Sequence, residues 1–278
     1  MKHIFDKVSA SCSKLTTRRY STSFSLGIRF LSKKFHDPIY GVYGFVRLAD
    51  EIVDSFHDYD KVYLMKKFRE DTVDALENKI SLNPILNSFQ KTVHSYRIEW
   101  ELIDTFLRSM ETDLQSSIHD KDSYNQYILG SAEVVGLMCL RIFTELDTKL
   151  YEALKPSAMK LGSAFQKVNF LRDLKADYHE LGRTYFPEVN FEKFSCLEKE
   201  QIQADIETEF NLALSGIKEL PVSSRTGVYL AYIYYRKLFS KIKQTPAEQV
   251  LSARIRIPDI NKVGLLFQSV IRLKLNIY

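Results

Sequence analysis

Apolar positions recur at helical spacing along nearly the whole chain, and strand-like alternation is confined to Ala253-Arg254-Ile255-Arg256-Ile257. The pattern predicts helices near 38–57, 60–80, 85–97, 100–116, 122–145, 158–180, 198–218, 222–243 and 259–275. Breaks are expected at Asn83-Pro84, Lys155-Pro156, the 181–197 stretch, Pro221 and Pro246, because proline lacks a backbone donor and disfavours helical geometry in the residue before it. Only ten glycines and seven prolines interrupt 278 residues, which suits an all-α fold. No Pro/Gly/Ser-rich linker, low-complexity tract or convincing repeat divides the chain, so one domain over 1–278 is expected.

On two of these helices the polar positions are as ordered as the apolar ones. At roughly 100° per residue, Tyr43, Arg47, Asp50 and Asp54 fall within about 60°, while Phe45, Leu48, Ala49 and Ile52 point away. Gln166, Asn169, Asp173 and Asp177 fall within about 80°, flanked by Gly162, Phe170 and Ala176, with Lys167, Arg172 and Lys175 directed elsewhere. A solvated face mixes its charges. Here the basic residues are expected off the acidic stripe and the carboxylates are expected to face the interior.

One Asp-x-x-x-Asp is common on solvated helices; its recurrence on a second helix is what points to chemistry. Like charges at that spacing repel by roughly 0.2–0.5 kcal/mol on an isolated helix, and burial raises both carboxyl pKa values further. Interior aspartates therefore stay ionised only beside a cation. Hard oxygen ligands favour Mg²⁺, with Mn²⁺ as a substitute, completed by water and substrate phosphate oxygens. Two such pairs facing one another predict a metal cluster holding a diphosphate.

The remaining composition narrows the class. With 39 basic against 35 acidic residues the net charge is only +4, which does not favour nucleic-acid binding. Cys12, Cys139 and Cys196 form no metal-type spacing, and their odd number suits a reduced, cytoplasmic chain. The six histidines show no zinc-like cluster, and no Gly-x-Gly-x-x-Gly, nucleophile elbow or phosphate-binding glycine loop occurs. No run approaches 18 uncharged apolar residues, so no membrane-spanning helix is expected. Eighteen Phe and sixteen Tyr are ample material for an apolar cavity.

Three blocks, Ser21-Thr22-Ser23-Phe24, Tyr43 to Asp54 and Gln166 to Asp177, together with Gly182-Arg183-Thr184-Tyr185-Phe186-Pro187, resemble the squalene/phytoene synthase family in sequence, order and separation. The resemblance runs from about residue 12 onward and is strongest to bacterial phytoene synthases. It implies an isoprenoid-synthase-type helical bundle around a central cavity. The implied activity is Mg²⁺-dependent head-to-head condensation of two geranylgeranyl diphosphates to phytoene, through a cyclopropylcarbinyl diphosphate and without NADPH, as in carotenoid biosynthesis. Carried over by motif, Asp50, Asp54, Asp173 and Asp177 are the metal ligands. Ser21, Ser23, Arg47, Gln166, Asn169 and Arg183 hold the diphosphates, Phe24 contacts substrate, and Tyr43, Tyr127, Tyr185 and Tyr235 line the cavity, Tyr127 with a catalytic role.

Relatives often carry a lysine in the N-terminal block where this chain has Thr22, with Arg18 and Arg19 as the nearest replacements. A dehydrosqualene or squalene synthase using farnesyl diphosphate is the first alternative, the latter needing NADPH. A non-catalytic assembly factor of the same fold is disfavoured because all four aspartates are present. Since such a hydrocarbon does not dissolve in water, a peripheral contact with the inner face of the cell membrane is expected. The candidate surface is the basic C-terminal third: Arg236, Lys237, Lys241, Lys243, Arg254, Arg256, Lys262, Arg272 and Lys274.

Overall fold

Helix α1, Lys2–Tyr20, and α2, Thr22–Arg29, occupy a stretch where the apolar spacing predicts no helix. Their separation is local chemistry: Ser21 is extended and its Oγ accepts the Phe24 amide at 3.2 Å, an N-cap that starts α2. The structure, a computed structural model, describes residues 1–114, 120–179, 186, 195–250 and 255, without the side chains of Ser23, residues 175–179 and Glu248. The helix expected over 259–275 lies outside the described residues, as do most of the 181–197 stretch and, Ile255 excepted, the 253–257 segment.

Four helices follow close to their expected bounds: α3 His36–Asp54, α4 Lys61–Asn78, α5 Pro84–Tyr96 and α6 Trp100–Asp113. Asp60 and Asn83 start α4 and α5 by accepting the Tyr63 and Ile85 amides at 2.9 and 3.0 Å. The helix expected over 122–145 is instead two, α7 Lys121–Ile128 and α8 Val134–Thr144, joined by a π-helical turn at Leu129–Glu133. By length and composition the stretch Lys121–Thr144 suffices to cross a bilayer, contrary to the expectation from uncharged runs, but 61% of its most apolar window is buried. It packs as a core element.

The break expected at Pro156 is absent: α9 runs unbroken from Thr148 to His179. An interior proline costs about 3 kcal/mol of helix stability. Packing on both sides offsets it, with Tyr151 and Leu154 buried before it and Ala164, Val168 and Leu171 buried after it. Helices α10, Cys196–Glu219, and α11, Val222–Gln244, then pack against α9, and a one-turn helix, Ala247–Val250, follows. No strand occurs among the described residues.

The core falls into two clusters. In the first, Phe45 of α3 stacks on Phe89 with centroids 3.9 Å apart, and Phe68 and Phe106 lie at 5.4 Å. In the second, Phe210 of α10 meets Phe165, Tyr232 and Phe239. Gly162 of α9 lets that helix lie against the π-helical turn: a Cβ there would stand 2.6 Å from the Ala132 carbonyl oxygen. Gly162→Ala is expected to destabilise the protein by about 1–3 kcal/mol, because backbone must shift to admit it. Urea unfolding checks this, and an unchanged midpoint would contradict the close approach.

Candidate active site

Along three helices the residues facing the interior change from apolar to polar in the same direction. On α3 the lining runs Ile39, Val42, Tyr43, Val46, Arg47, Asp50, Val53, Asp54; on α9 it runs Leu154, Ser157, Ala158, Leu161, Gly162, Phe165, Gln166, Asn169, Phe170, Arg172, Asp173; on α6, Met110 precedes Asp113. All of them line one cavity of about 640 Å³. From Ile39 to Asp54 the wall is about 22 Å long at 1.5 Å per residue. The acids thus line the cavity from the C-terminal halves of these helices, and most of the apolar lining of α3 and α9 precedes them in the chain. Asp54 and Asp113 are the last residues of α3 and α6. A helix C-terminus carries partial negative charge and disfavours carboxylates, so these acids cost helix stability and are not there as caps.

Electrostatics at this end favour an added cation. Burial pushes the Asp50 carboxyl up to about 7, with Asp54 and Asp113 adding to the rise and Arg47 opposing it. Arg47 is itself held by Glu51 one turn on, its guanidinium lies 4.4 Å over the Tyr20 ring, and its buried Nε has no partner. Arg172 donates to Asp173 from Nε at 3.1 Å and from its terminal nitrogen at 2.5 Å. The expectation that Arg172 points away from the acidic stripe is thus corrected. Its Cα faces elsewhere, but the long side chain reaches round to the neighbouring carboxylate. Lys167 does point away, to Asp205 and Glu209 of α10.

Aromatic and amide groups complete the wall. Tyr127 donates its hydroxyl to Asp113 Oδ2 at 2.7 Å, and Tyr235 donates to Asn169 Oδ1 at 3.3 Å while stacking on Phe165 at 3.9 Å. Phe24 lies 5.7 Å from the Tyr43 ring and 6.4 Å from Tyr235. Burial raises Tyr43 to about 12 and the cavity thiol of Cys139 to about 12, so both stay protonated at neutral pH.

The structure brings Ser21, Phe24, Tyr43, Arg47, Asp50, Asp54, Tyr127, Gln166, Asn169, Asp173 and Tyr235 to this one cavity. Asp177 lies on α9 one turn beyond Asp173, and Ser23 lies on α2, but their side chains are outside the described residues. Arg183 and Tyr185 are wholly outside them. Arg18 and Arg19 are exposed and do not line the cavity; the cations that do are Arg47 and Arg172. Asp113 was not marked by the sequence, having no acidic partner four residues away; its link to the site is Tyr127, on another helix.

These residues suit a divalent metal. A half-buried carboxylate with acidic neighbours and an engaged arginine leaves negative charge under-compensated, and the acids offer hard oxygen donors. Among the described residues no three acidic, His or Cys side chains stand close enough to hold one ion by themselves. Mg²⁺ takes one or two carboxylates and completes its shell from water and phosphate oxygens.

A model of the squalene/phytoene synthase family matches residues 17–261. The 4,4'-diapophytoene synthase of Staphylococcus haemolyticus is 23% identical over 81% of this chain and 84% of its own. The phytoene synthase of Arthrospira platensis is 22% identical over 90% and 88%. Two longer relatives are matched over 49% and 62% of their own lengths. A crystal structure of a dehydrosqualene synthase in complex with ligand superposes with a TM-score of 0.81 at 20% identity, over 97% of this chain and 98% of that one.

Proposed function

The chain belongs to the squalene/phytoene synthase family of head-to-head condensing prenyltransferases, and from that premise we propose that it joins two geranylgeranyl diphosphates into phytoene. The observation that carries the proposal is one cavity lined by Asp50, Asp54, Asp113 and Asp173 together with a largely apolar wall from α3, α8 and α9. Such a space takes a diphosphate beside the acids and a prenyl chain along the apolar wall. Asp50, Asp54 and Asp173, with Asp177, hold Mg²⁺ in this proposal. When bound, the metal supplies Lewis-acid stabilisation to the departing diphosphate.

The chain's own groups do the rest. Arg47, with its unpartnered Nε, and the amides of Gln166 and Asn169 orient the diphosphates. As the allylic carbon–oxygen bond of one substrate breaks, the faces of Phe24, Phe165 and Tyr235 stabilise the positive charge. Water is kept out by the apolar wall, so the double bond of the second substrate attacks instead. Loss of a proton leaves the cyclopropylcarbinyl diphosphate. A second ionisation, rearrangement and proton loss give the hydrocarbon. Asp113 holds the Tyr127 hydroxyl at the acidic end, where proton transfers to departing diphosphate would be assisted.

A second reading, condensation of two farnesyl diphosphates to dehydrosqualene, is supported by the dehydrosqualene synthase superposition. Purified protein, Mg²⁺ and C15 or C20 diphosphate, with and without NADPH, followed by identification of the hydrocarbon, separates the two. The expected result is phytoene from the C20 substrate without NADPH. A product formed only from C15 would replace phytoene by dehydrosqualene, and a requirement for NADPH would move the chain to the squalene branch.

A further inference from the structure

Helix α1 is turned inside out. Its buried face is Ser9, Ser13 and Thr17, each fully covered, whereas Ile4, Val8 and Leu15 are 54, 51 and 58% exposed. At roughly 100° per residue those three fall within about 40° of one another, on the side opposite the buried serines. The inward face is small because α1 lies close on α3: a Cβ on Gly44 would stand 3.0 Å from Ser13 Oγ. That explains the inner face and leaves the outer one without a folding role.

The outer stripe is flanked by Lys7 and Lys14 with Arg18 on one side and by Arg19 on the other, all exposed. None of the four makes an ion pair among the described residues. The one acid of α1, Asp6, sits inward, bonded to Asn87 and paired with Lys2 and Lys91. By contrast Arg236 and Lys243 of the basic C-terminal third are engaged by Glu207. We propose that the outer face of α1, with Ile4, Val8 and Leu15 between Lys7, Lys14 and Arg19, lies on an anionic lipid surface. Lys14 Nζ lies 5.9 Å from the Tyr40 ring centroid on α3, and an apolar stripe edged with cations outside any ion pair is complementary to acyl chains beneath anionic headgroups. The helix ends at Tyr20, which lines the cavity, so the surface borders the site. The choice of lipid as occupant rests on the proposed reaction, whose water-insoluble product needs a bilayer to enter.

The test is co-sedimentation of the full chain with phosphatidylcholine vesicles, with and without phosphatidylglycerol. Wild-type protein is expected to bind the anionic vesicles at low salt, and to bind neutral ones far less. Ile4→Ser/Val8→Ser/Leu15→Ser should weaken binding at least about tenfold without altering thermal stability, since the three side chains are exposed. Lys7→Gln/Lys14→Gln, which leaves the apolar stripe intact, should weaken it several-fold and flatten its salt dependence. Failure of the wild type to bind anionic vesicles, or wild-type binding by both variants, overturns the assignment. So does a dimer in sedimentation equilibrium that the triple variant abolishes, because a second copy would then cover the face. Hydrocarbon synthesis by the triple variant in detergent separates the two claims: its absence in the wild type as well sinks the proposed reaction, while vesicle binding is read independently.

Discussion

Asp50→Asn is expected to lower hydrocarbon formation by at least about a thousandfold while raising the stability of the metal-free protein at pH 8. The two effects have one cause. Asp50 is half-buried beside Asp54 and Asp113, and desolvation raises its carboxyl from an ordinary 3.8 to about 7. The unfolded chain releases this proton near the ordinary value, whereas the folded chain keeps it up to about pH 7. Between those limits the native state binds more protons, so this group makes stability fall as pH rises, and the loss is complete above pH 7. Asparagine has the same shape without the charge. In EDTA its thermal midpoint should exceed that of the wild type by at least about 3 °C at pH 8, with a smaller difference at pH 5. Asp173→Asn should likewise abolish turnover, but without a stability gain, because Arg172 already neutralises that carboxylate. Either variant turning over at a near-normal rate would contradict the assignment of these acids as metal ligands.

Asp113→Asn should cost on the order of a hundredfold in turnover. Asp113 accepts the Tyr127 hydroxyl at 2.7 Å and contributes to the raised pKa of Asp50, so it couples the tyrosine to the acidic end. Asparagine can still accept that hydrogen bond through its carbonyl but removes the charge. Tyr127→Phe removes the bond and keeps the charge. If Asp113 acts through Tyr127, the double variant should be little worse than the poorer single one, the signature of groups that act as a unit. Fully multiplicative effects would assign Asp113 an independent electrostatic role.

How much of this was legible in the residues depended on whether the signal was local. The stripe Tyr43, Arg47, Asp50, Asp54 and the stripe Gln166, Asn169, Asp173 repeat at three- and four-residue intervals, so the wheel alone aligns them, and both line the cavity. Helix starts at Asn83 and Asp60 carry side-chain caps and were close to their predicted places. Ends at Lys79, Arg97 and Glu145 adopt positive φ without glycine, and they still fall close to the expected 80, 97 and 145 because the apolar period stops there. Helix α1 escaped because its inner face is Ser9, Ser13 and Thr17, so no apolar period points inward. Pro156 was overridden by tertiary packing, and Arg172 by the reach of its side chain. Asp113 joins the site only through a contact between helices, which spacing along one helix does not show.

The most direct measurement of the central claim is the amount of diphosphate released per hydrocarbon formed by the pure protein with Mg²⁺ and C20 diphosphate. Both condensation and rearrangement expel a diphosphate, so the expected ratio is two, with no release in EDTA. One diphosphate per coupled product, with a cyclopropylcarbinyl diphosphate accumulating, would show that the second ionisation does not occur here. Diphosphate released with prenyl alcohol and no hydrocarbon would contradict head-to-head condensation altogether.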